Sequence, residues 1–211
     1  MAVDYQLSFR PRANEADIFA WRPDFLDSHQ IKGYKKEIKK VPFAEKARIL
    51  GKTETGIEGT YDPTIRSSKV KWLPKSEEFR GLYERIAQEI MIHNNQHFKF
   101  DLDCIREQIQ YTEYHAEDKG QYDWHMDLGA GWGSLRKLSV TINLSDPKDF
   151  EGGEFYFEFL NSPNNNIVEC KEIKQKGTII IFPSFVKHKV APITKGERNS
   201  LVGWVLGYPF K

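Results

Sequence analysis

The stretch Glu154-Phe155-Tyr156-Phe157-Glu158-Phe159 sets phenylalanine at every second position. Successive side chains of an extended chain point to opposite faces, so one face is wholly apolar and the other carries Glu154, Tyr156 and Glu158. That is the pattern of a half-buried strand. The same texture continues on both sides. Strands are predicted over 137–144, 154–160, 167–173, 177–182, 186–191 and 200–208, each bounded by Gly, Pro, Asn or Asp. Upstream, Ile105, Ile109 and Tyr111 share one face of a further strand whose other face carries Gln108, Gln110, Thr112 and Tyr114. A run of short strands with turn signals and no helices between them indicates a sandwich or barrel, with a jelly roll as the natural candidate.

Toward the N-terminus the period changes. Over 76–95, Phe79, Leu82, Tyr83, Ile86 and Ile90 recur at helical spacing. Pro74 precedes this helix, Ser76 can cap it, and Glu77 and Glu78 sit where the helix dipole favours negative charge. A second helix is expected over 24–40, with Phe25, Leu26, Ile31, Tyr34 and Ile38 apolar, ending near Pro42. The Gly-, Thr- and Asp-rich stretch 51–68 reads as loop with short strands. The fold expected is mostly β with flanking helices. A single domain, 1–211, divides into helical or irregular support (1–100) and a β core (101–211).

Lys and Arg number 31 against 30 Asp and Glu, a net charge of +1. With neither a basic excess nor a basic stripe, no nucleic-acid partner is expected. Residues 1–18 include Asp4, Arg10, Arg12, Glu15 and Asp17 with no apolar core between them, unlike a secretory signal. No run approaches the roughly 18–20 apolar residues of a membrane-spanning helix, so no membrane partner is expected. Cys104 and Cys170 imply no disulfide framework, and a cytoplasmic location is expected.

The chemistry lies downstream of residue 114. In Tyr122-Asp123-Trp124-His125-Met126-Asp127, His125 and Asp127 are two apart, and in an extended segment both side chains reach one ion. His188 comes 61 residues beyond Asp127, near the start of a predicted strand after Pro183. Two imidazoles and a carboxylate on one face of an octahedral ion leave the other face open, the facial triad of non-haem iron(II) sites. The bland reading of His-x-Asp is a surface turn with a hydrogen-bonded pair. Residues beyond His188 outweigh it. Ten residues after His188 stands Arg198, with Ser200 two further on. A guanidinium fork binds a carboxylate bidentately and the serine hydroxyl adds a donor, which suits the distal carboxylate of 2-oxoglutarate. Lys137, on an inner strand, is a competing anchor.

These motifs together resemble the 2-oxoglutarate–iron(II) dioxygenase superfamily, and within it the prolyl 4-hydroxylase-like group with the PKHD-type hydroxylases. The matching stretches are 114–127, Arg136-Lys137-Leu138-Ser139-Val140-Thr141, Leu144-Ser145-Asp146-Pro147, Glu151-Gly152-Gly153-Glu154, Phe182-Pro183-Ser184 and 188–204. The resemblance implies a double-stranded β-helix (jelly roll, cupin-like) core backed by N-terminal helices. It implies iron(II) held by His125, Asp127 and His188, with 2-oxoglutarate and O2 as co-substrates and ascorbate as a possible reductant. Decarboxylation of 2-oxoglutarate to succinate would accompany hydroxylation of an unactivated C–H bond. Tyr114 and Ser200 are expected beside Arg198 at the 2-oxoglutarate, and Asn143 stands where such enzymes often carry an aromatic residue. Tyr122, Trp132, Arg136 and Trp204 are expected on the substrate side, with the three glycines around Trp132 suggesting a flap. The substrate expected is a prolyl residue of a peptide or protein. The rivals are a free small molecule on the same scaffold, a non-enzymatic jelly-roll binding module, and a zinc hydrolase using the same three ligands. His29, His93, His97 and His115 have no partner at ligand spacing and read as surface or cap residues.

Overall fold

The computed structural model describes residues 18–44, 49–53, 56–60, 62, 64–158 and 167–209. Along the chain these form β1 (Ala20–Arg22), α1 (Ser28–Ile38), β2 (Ile49–Thr53), β3 (Gly56–Thr60), β4 (Arg66–Ser67), β5 (Lys69–Leu73) and α2 (Glu77–His93). Next come β6 (Ile109–His115), β7 (Gln121–His125), β8 (Arg136–Asn143), β9 (Phe150–Gly152), β10 (Phe155–Glu158) and β11 (Ile167–Glu169). The last three strands are β12 (Ile179–Pro183), β13 (Lys187–Val190) and β14 (Ile193–Leu206). The larger sheet runs β1-β12-β8-β14-β6-β5, with β9 also paired to β14, and the smaller runs β11-β10-β13-β7-β4. β2 and β3 pair with each other.

The connections explain the expected architecture. From β6 the chain passes to β7 in the smaller sheet, back to β8, then to β10, β12, β13 and β14, changing sheet between each of these strands. Two antiparallel sheets wound in this way make a double-stranded β-helix. Strands from before residue 101 extend it. β1 and β5 form the two edges of the larger sheet and β4 an edge of the smaller.

Strand alternation divides the interior in two. Leu138, Val140 and Ile142 of β8, Ile179 and Ile181 of β12, and Leu201 and Val205 of β14 pack against Leu82, Ile86 and Ile90 of α2 and Ile31 and Ile38 of α1. Ile180 and Phe182, on the other face of β12, join Phe155, Phe157, Val190 and Tyr114 in a second core. β12 is buried on both faces, which is why it reads as an unbroken apolar run. Phe155 and Phe157 turn inward as their alternation requires; Phe159 and Leu160 lie outside the described residues.

Several boundaries differ from the sequence expectation for local reasons. α1 begins at Ser28, because Asp27 and Gln30 form a capping box and Asp24 takes a positive φ of 51°. Ser76 occupies the N-cap of α2, but its hydroxyl bonds to Glu78 Oε2 at 2.6 Å instead of a backbone N–H. The predicted strand 167–173 ends at Glu169 and continues as a short 3-10 turn. The last strand starts at Ile193, well before the expected 200, so Arg198 lies inside it. No helix among the described residues is long and apolar enough to cross a membrane.

The helix–sheet core carries a direct expectation. Leu82 is fully buried, so Leu82→Ala should cost about 2–5 kcal/mol in urea unfolding. Met91, half exposed on the same helix, should tolerate alanine with little change.

Candidate metal centre and co-substrate pocket

His125 closes β7 and lies opposite His188 of β13 in the pairing of these strands. Asp127 is past the strand end, so the expected i, i+2 strand face is not how it arrives. A turn carries it round. The N–H groups of Asp127 and Leu128 both donate to Ser184 O, at 3.0 and 3.2 Å. Arg136 Nη1 donates to the Asp127 carbonyl at 3.0 Å. Each imidazole is oriented through Nδ1, which meets a carbonyl two residues earlier, Asp123 O at 2.7 Å and Val186 O at 2.9 Å. Both Nε2 atoms then face the carboxylate, His125 at 3.8 Å from Oδ1 and His188 at 3.7 Å from Oδ2.

Those separations are too long for hydrogen bonds, and Asp127 and His188 are buried, so the bland reading of an exposed His–Asp pair does not describe this site. The three donors lie within 4.8 Å of one another. Such convergence suits an ion whose bonds are about 2.0–2.2 Å long. Burial, and next the neighbouring His188, hold the His125 imidazole well below its ordinary pKa, in the neutral form that binds metal. Burial opposes ionisation of Asp127, but His188, His125, the Ser139 hydroxyl and Arg136 outweigh it and keep the carboxyl below its usual range.

The triad opens onto a cavity of about 660 Å³. β14 lines it with Arg198, Ser200, Val202 and Trp204, one residue in two along the strand. Arg198 stands opposite Tyr114 of β6 in register, with its guanidinium carbon 5.8 Å from the tyrosine ring centre. Arg198 is 2% exposed, and neither Nη1 nor Nη2 has a hydrogen-bond partner. A buried cation left unpaired is strongly unfavourable, so this one is built to receive an anion. The Glu-Gly-Gly-Glu stretch makes room for it. Gly152 and Gly153 have φ of +78° and +68°, and a Cβ on Gly153 would lie 3.2 Å from Arg198 Cδ and 2.3 Å from Ile193 Cδ1.

The remaining expected residues divide. Tyr122 lines the cavity and stacks on His125, ring centres 3.4 Å apart. Residues three apart on a regular strand face opposite ways. Here His188 pairs with His125 but Val190 with Tyr122, and the extra residue in β7 turns both rings to one side. Burial pushes the Tyr122 phenol up to about 12. Trp204 also lines the cavity, 4.0 Å from the Arg136 guanidinium carbon, and its Nε1 is buried without a partner.

Two expectations, those for Asn143 and Trp132, are corrected, and Arg136 is on the cavity wall as expected but engaged otherwise. Asn143 is fully buried and does not line the cavity. Its amide donates to Ser145 O at 3.0 Å and Lys174 O at 2.9 Å and accepts from Ser145 N–H, which leaves nothing for 2-oxoglutarate. Arg136 reaches the cavity, but Nε donates to Glu107 Oε1 at 2.7 Å and Nη2 to Oε2, so it braces the Asp127 turn and is not free for substrate. Trp132 is 58% exposed in the 3-10 turn Gly131–Leu135 and does not line the cavity, with the Arg106 guanidinium carbon 3.6 Å from its ring. Lys137, the competing anchor, is not a lining residue either. Two histidines are not surface residues: His93 is buried against Glu89, and His115 sits half-buried between Glu113 and Glu197. Sequence reasoning missed Glu107, Ser139 and Ser184 as supports, and Arg66, a buried arginine of β4 on the cavity wall. A short edge strand in a Gly- and Thr-rich stretch gave no signal for Arg66.

Asn143→Ala should lower stability by about 1–3 kcal/mol in denaturant unfolding while leaving the Kd for 2-oxoglutarate unchanged. A large loss of 2-oxoglutarate affinity would restore the role first expected of it. Glu107→Ala should loosen the Asp127 turn and weaken metal binding about 10–100-fold, read by calorimetric titration with manganese(II).

A family model described as the 2OG-Fe(II) oxygenase superfamily matches residues 109–206. A PKHD-type hydroxylase of Synechococcus sp. (strain CC9902) is 41% identical over 88 residues, 41% of this chain and 36% of that protein. One from Prochlorococcus marinus (strain MIT 9515) is 32% identical over 146 residues, 68% of this chain and 62% of that protein. The matches thus span between about a third and three fifths of these relatives' lengths. Among solved structures, a Trichoplax adhaerens prolyl hydroxylase in complex with a hypoxia inducible factor oxygen degradation domain peptide fragment superposes with a TM-score of 0.67. The alignment covers 90% of this chain and 84% of that one at 18% identity, a likeness of fold. The family match runs from β6 through β14, the strands and turns that carry His125, Asp127, His188 and Arg198, and over this stretch the chain is similar to the 2OG-Fe(II) oxygenase superfamily and to PKHD-type hydroxylases.

Proposed function

We propose that the protein is an iron(II)- and 2-oxoglutarate-dependent hydroxylase acting on an unactivated C–H bond, with a prolyl residue of a peptide or protein as substrate. The observation that carries this reading is Arg198, a buried guanidinium with both Nη atoms unpaired in the cavity that His125, Asp127 and His188 share. That anchor, in the same cavity as the triad, favours an oxygenase that takes 2-oxoglutarate over a zinc hydrolase using the same three ligands. The PKHD-type relatives support hydroxylation, and the peptide-bound prolyl hydroxylase of the same fold supports a prolyl substrate. A free small molecule is the second reading, and a second unpaired arginine on the cavity wall, Arg66, favours it.

His125, Asp127 and His188 would hold iron(II), with His125 neutral and Asp127 ionised as the ligands require. Arg198 would take the distal carboxylate of 2-oxoglutarate, with Ser200 and Tyr114 beside it on the same wall. Phe155, Val190 and Val202 give the wall around these groups apolar surface, which would limit water at the charged contacts. Arg136 and Glu107 would keep the Asp127 carboxylate in place as ligands exchange. Bound iron(II) with 2-oxoglutarate and O2 supplies the oxidising power that converts C–H to C–OH, as 2-oxoglutarate becomes succinate and CO2. Ascorbate belongs to this reading as the reductant that keeps iron ferrous.

The test is spectroscopic. Anaerobic protein loaded with iron(II) and then 2-oxoglutarate should develop the weak visible charge-transfer band of the chelate. His188→Ala should abolish it. Arg198→Ala should raise the 2-oxoglutarate concentration needed for half-development by about 10–100-fold, as expected for loss of a charge-assisted pair. Absence of the band from wild-type protein with iron bound would overturn the proposal.

A further inference from the structure

Arg66 stands opposite Tyr122 in the β4–β7 pairing, so the two side chains share a face of the smaller sheet. Its guanidinium carbon lies 4.7 Å from the Tyr122 ring centre, and the same ring stacks on His125. One aromatic ring therefore links Arg66 to the proposed metal ligand. Arg66 is 6% exposed, Nε donates to Ser68 Oγ at 2.9 Å, and Nη2 is buried with no hydrogen-bond partner. Its charge acts on the phenols of both Tyr114 and Tyr122.

The charges of the cavity do not close without a further anion. Among the described residues, the lining includes three arginines, Arg66, Arg136 and Arg198, and two acids, Glu107 and Asp127. Arg136 and Glu107 neutralise each other through paired hydrogen bonds. With the proposed function, the two charges of iron(II) and that of Arg198 are offset by Asp127 and dianionic 2-oxoglutarate. Arg66 is the cation left over. A buried guanidinium N–H with no partner is unfavourable, and a carboxylate brought by the substrate relieves it.

We propose that Arg66 is a specificity-determining residue that binds a carboxylate of the substrate. Because Arg66 is only one ring removed from His125, the carboxylate and the C–H bond attacked are a few bonds apart. An internal residue of a polypeptide offers no backbone carboxylate at that distance. A free amino acid or small carboxylic acid does, and so does the C-terminal residue of a peptide. The inference rests on the oxygenase reading for its charge balance, while Arg66 itself lies outside the triad and the 2-oxoglutarate anchor.

The test is calorimetric titration of the protein loaded with manganese(II) and 2-oxoglutarate. The probes are the free L-amino acids including L-proline, their amides, and Gly-X dipeptides with free or amidated C-termini. Carboxylate members should bind and their amides should not. Arg66→Gln should weaken the best carboxylate by about 10–100-fold with the Kd for 2-oxoglutarate unchanged, and Arg66→Lys should recover part of the loss. Binding by free amino acids alone assigns a small-molecule source, and binding by dipeptides with free termini assigns a peptide C-terminus. Equal binding of acids and amides, binding by no carboxylate, or loss of 2-oxoglutarate affinity in folded Arg66→Gln would each overturn the proposal. The iron(II) chelate band separates this failure from that of the function. A band without carboxylate discrimination overturns Arg66 alone; discrimination without a band overturns the oxygenase reading and leaves Arg66 in place.

Discussion

The register of β14 is the constraint on which both cores and the site depend. This strand is hydrogen-bonded to β6 along one edge and to β8 and β9 along the other. Its odd-numbered Leu201 and Val205 enter the helix–sheet core, while its even-numbered Arg198, Ser200, Val202 and Trp204 line the cavity. A slip of one residue would turn Leu201 into the cavity and Arg198 toward the helix–sheet core. Pairing on two sides makes that slip costly. The register therefore holds the anchor against Tyr114 and fixes its depth beneath the triad, before any ligand contributes.

The features legible in the sequence are those encoded in period and local order. Alternating phenylalanines mark β10, the helical repeat marks α2, and His125, Asp127, His188 and Arg198 stand in an order that few chemistries share. What is illegible there is long-range or depends on irregular backbone. The bulge that stacks Tyr122 on His125 adds one residue to β7 and leaves no compositional trace. Glu107 is recognisable only beside Arg136, 29 residues later in the chain. Asn143 misleads because a polar residue on an inner strand looks like a ligand contact, whereas its amide satisfies carbonyls at a strand end. Trp132 misleads because glycines flanking a tryptophan look like a lid, although here they belong to a short helical turn.

Two arginines in one cavity show how the same side chain is put to different uses by its neighbours. Arg136 is fully engaged, forking onto Glu107 and reaching the Asp127 carbonyl, while its face lies against Trp204. It carries no net charge into the cavity and acts as a brace. Among the described residues Arg198 has no acid in hydrogen-bonding reach, and glycines at 152 and 153 let it lie flush in the wall with its Nη atoms unspent. Evenly shared hydrogen bonds would have dulled both roles. Pairing one arginine completely while leaving the fork of the other open separates rigidity from recognition.

The substrate contact proposed for Arg66 would give the smaller sheet its own share in substrate choice. β13 and β7 each supply a histidine of the triad, and β4, next to β7 at the sheet's edge, supplies Arg66. Adjacent strands lie roughly 4.8 Å apart, so a side chain one strand further out reaches past the triad into the cavity. β4 is two residues long and makes few backbone bonds, so it can change without disturbing the strands that hold the triad. The larger sheet, locked through β14, carries Arg198. An edge strand free to vary beside a fixed centre is where a fold with one chemistry can acquire a particular substrate.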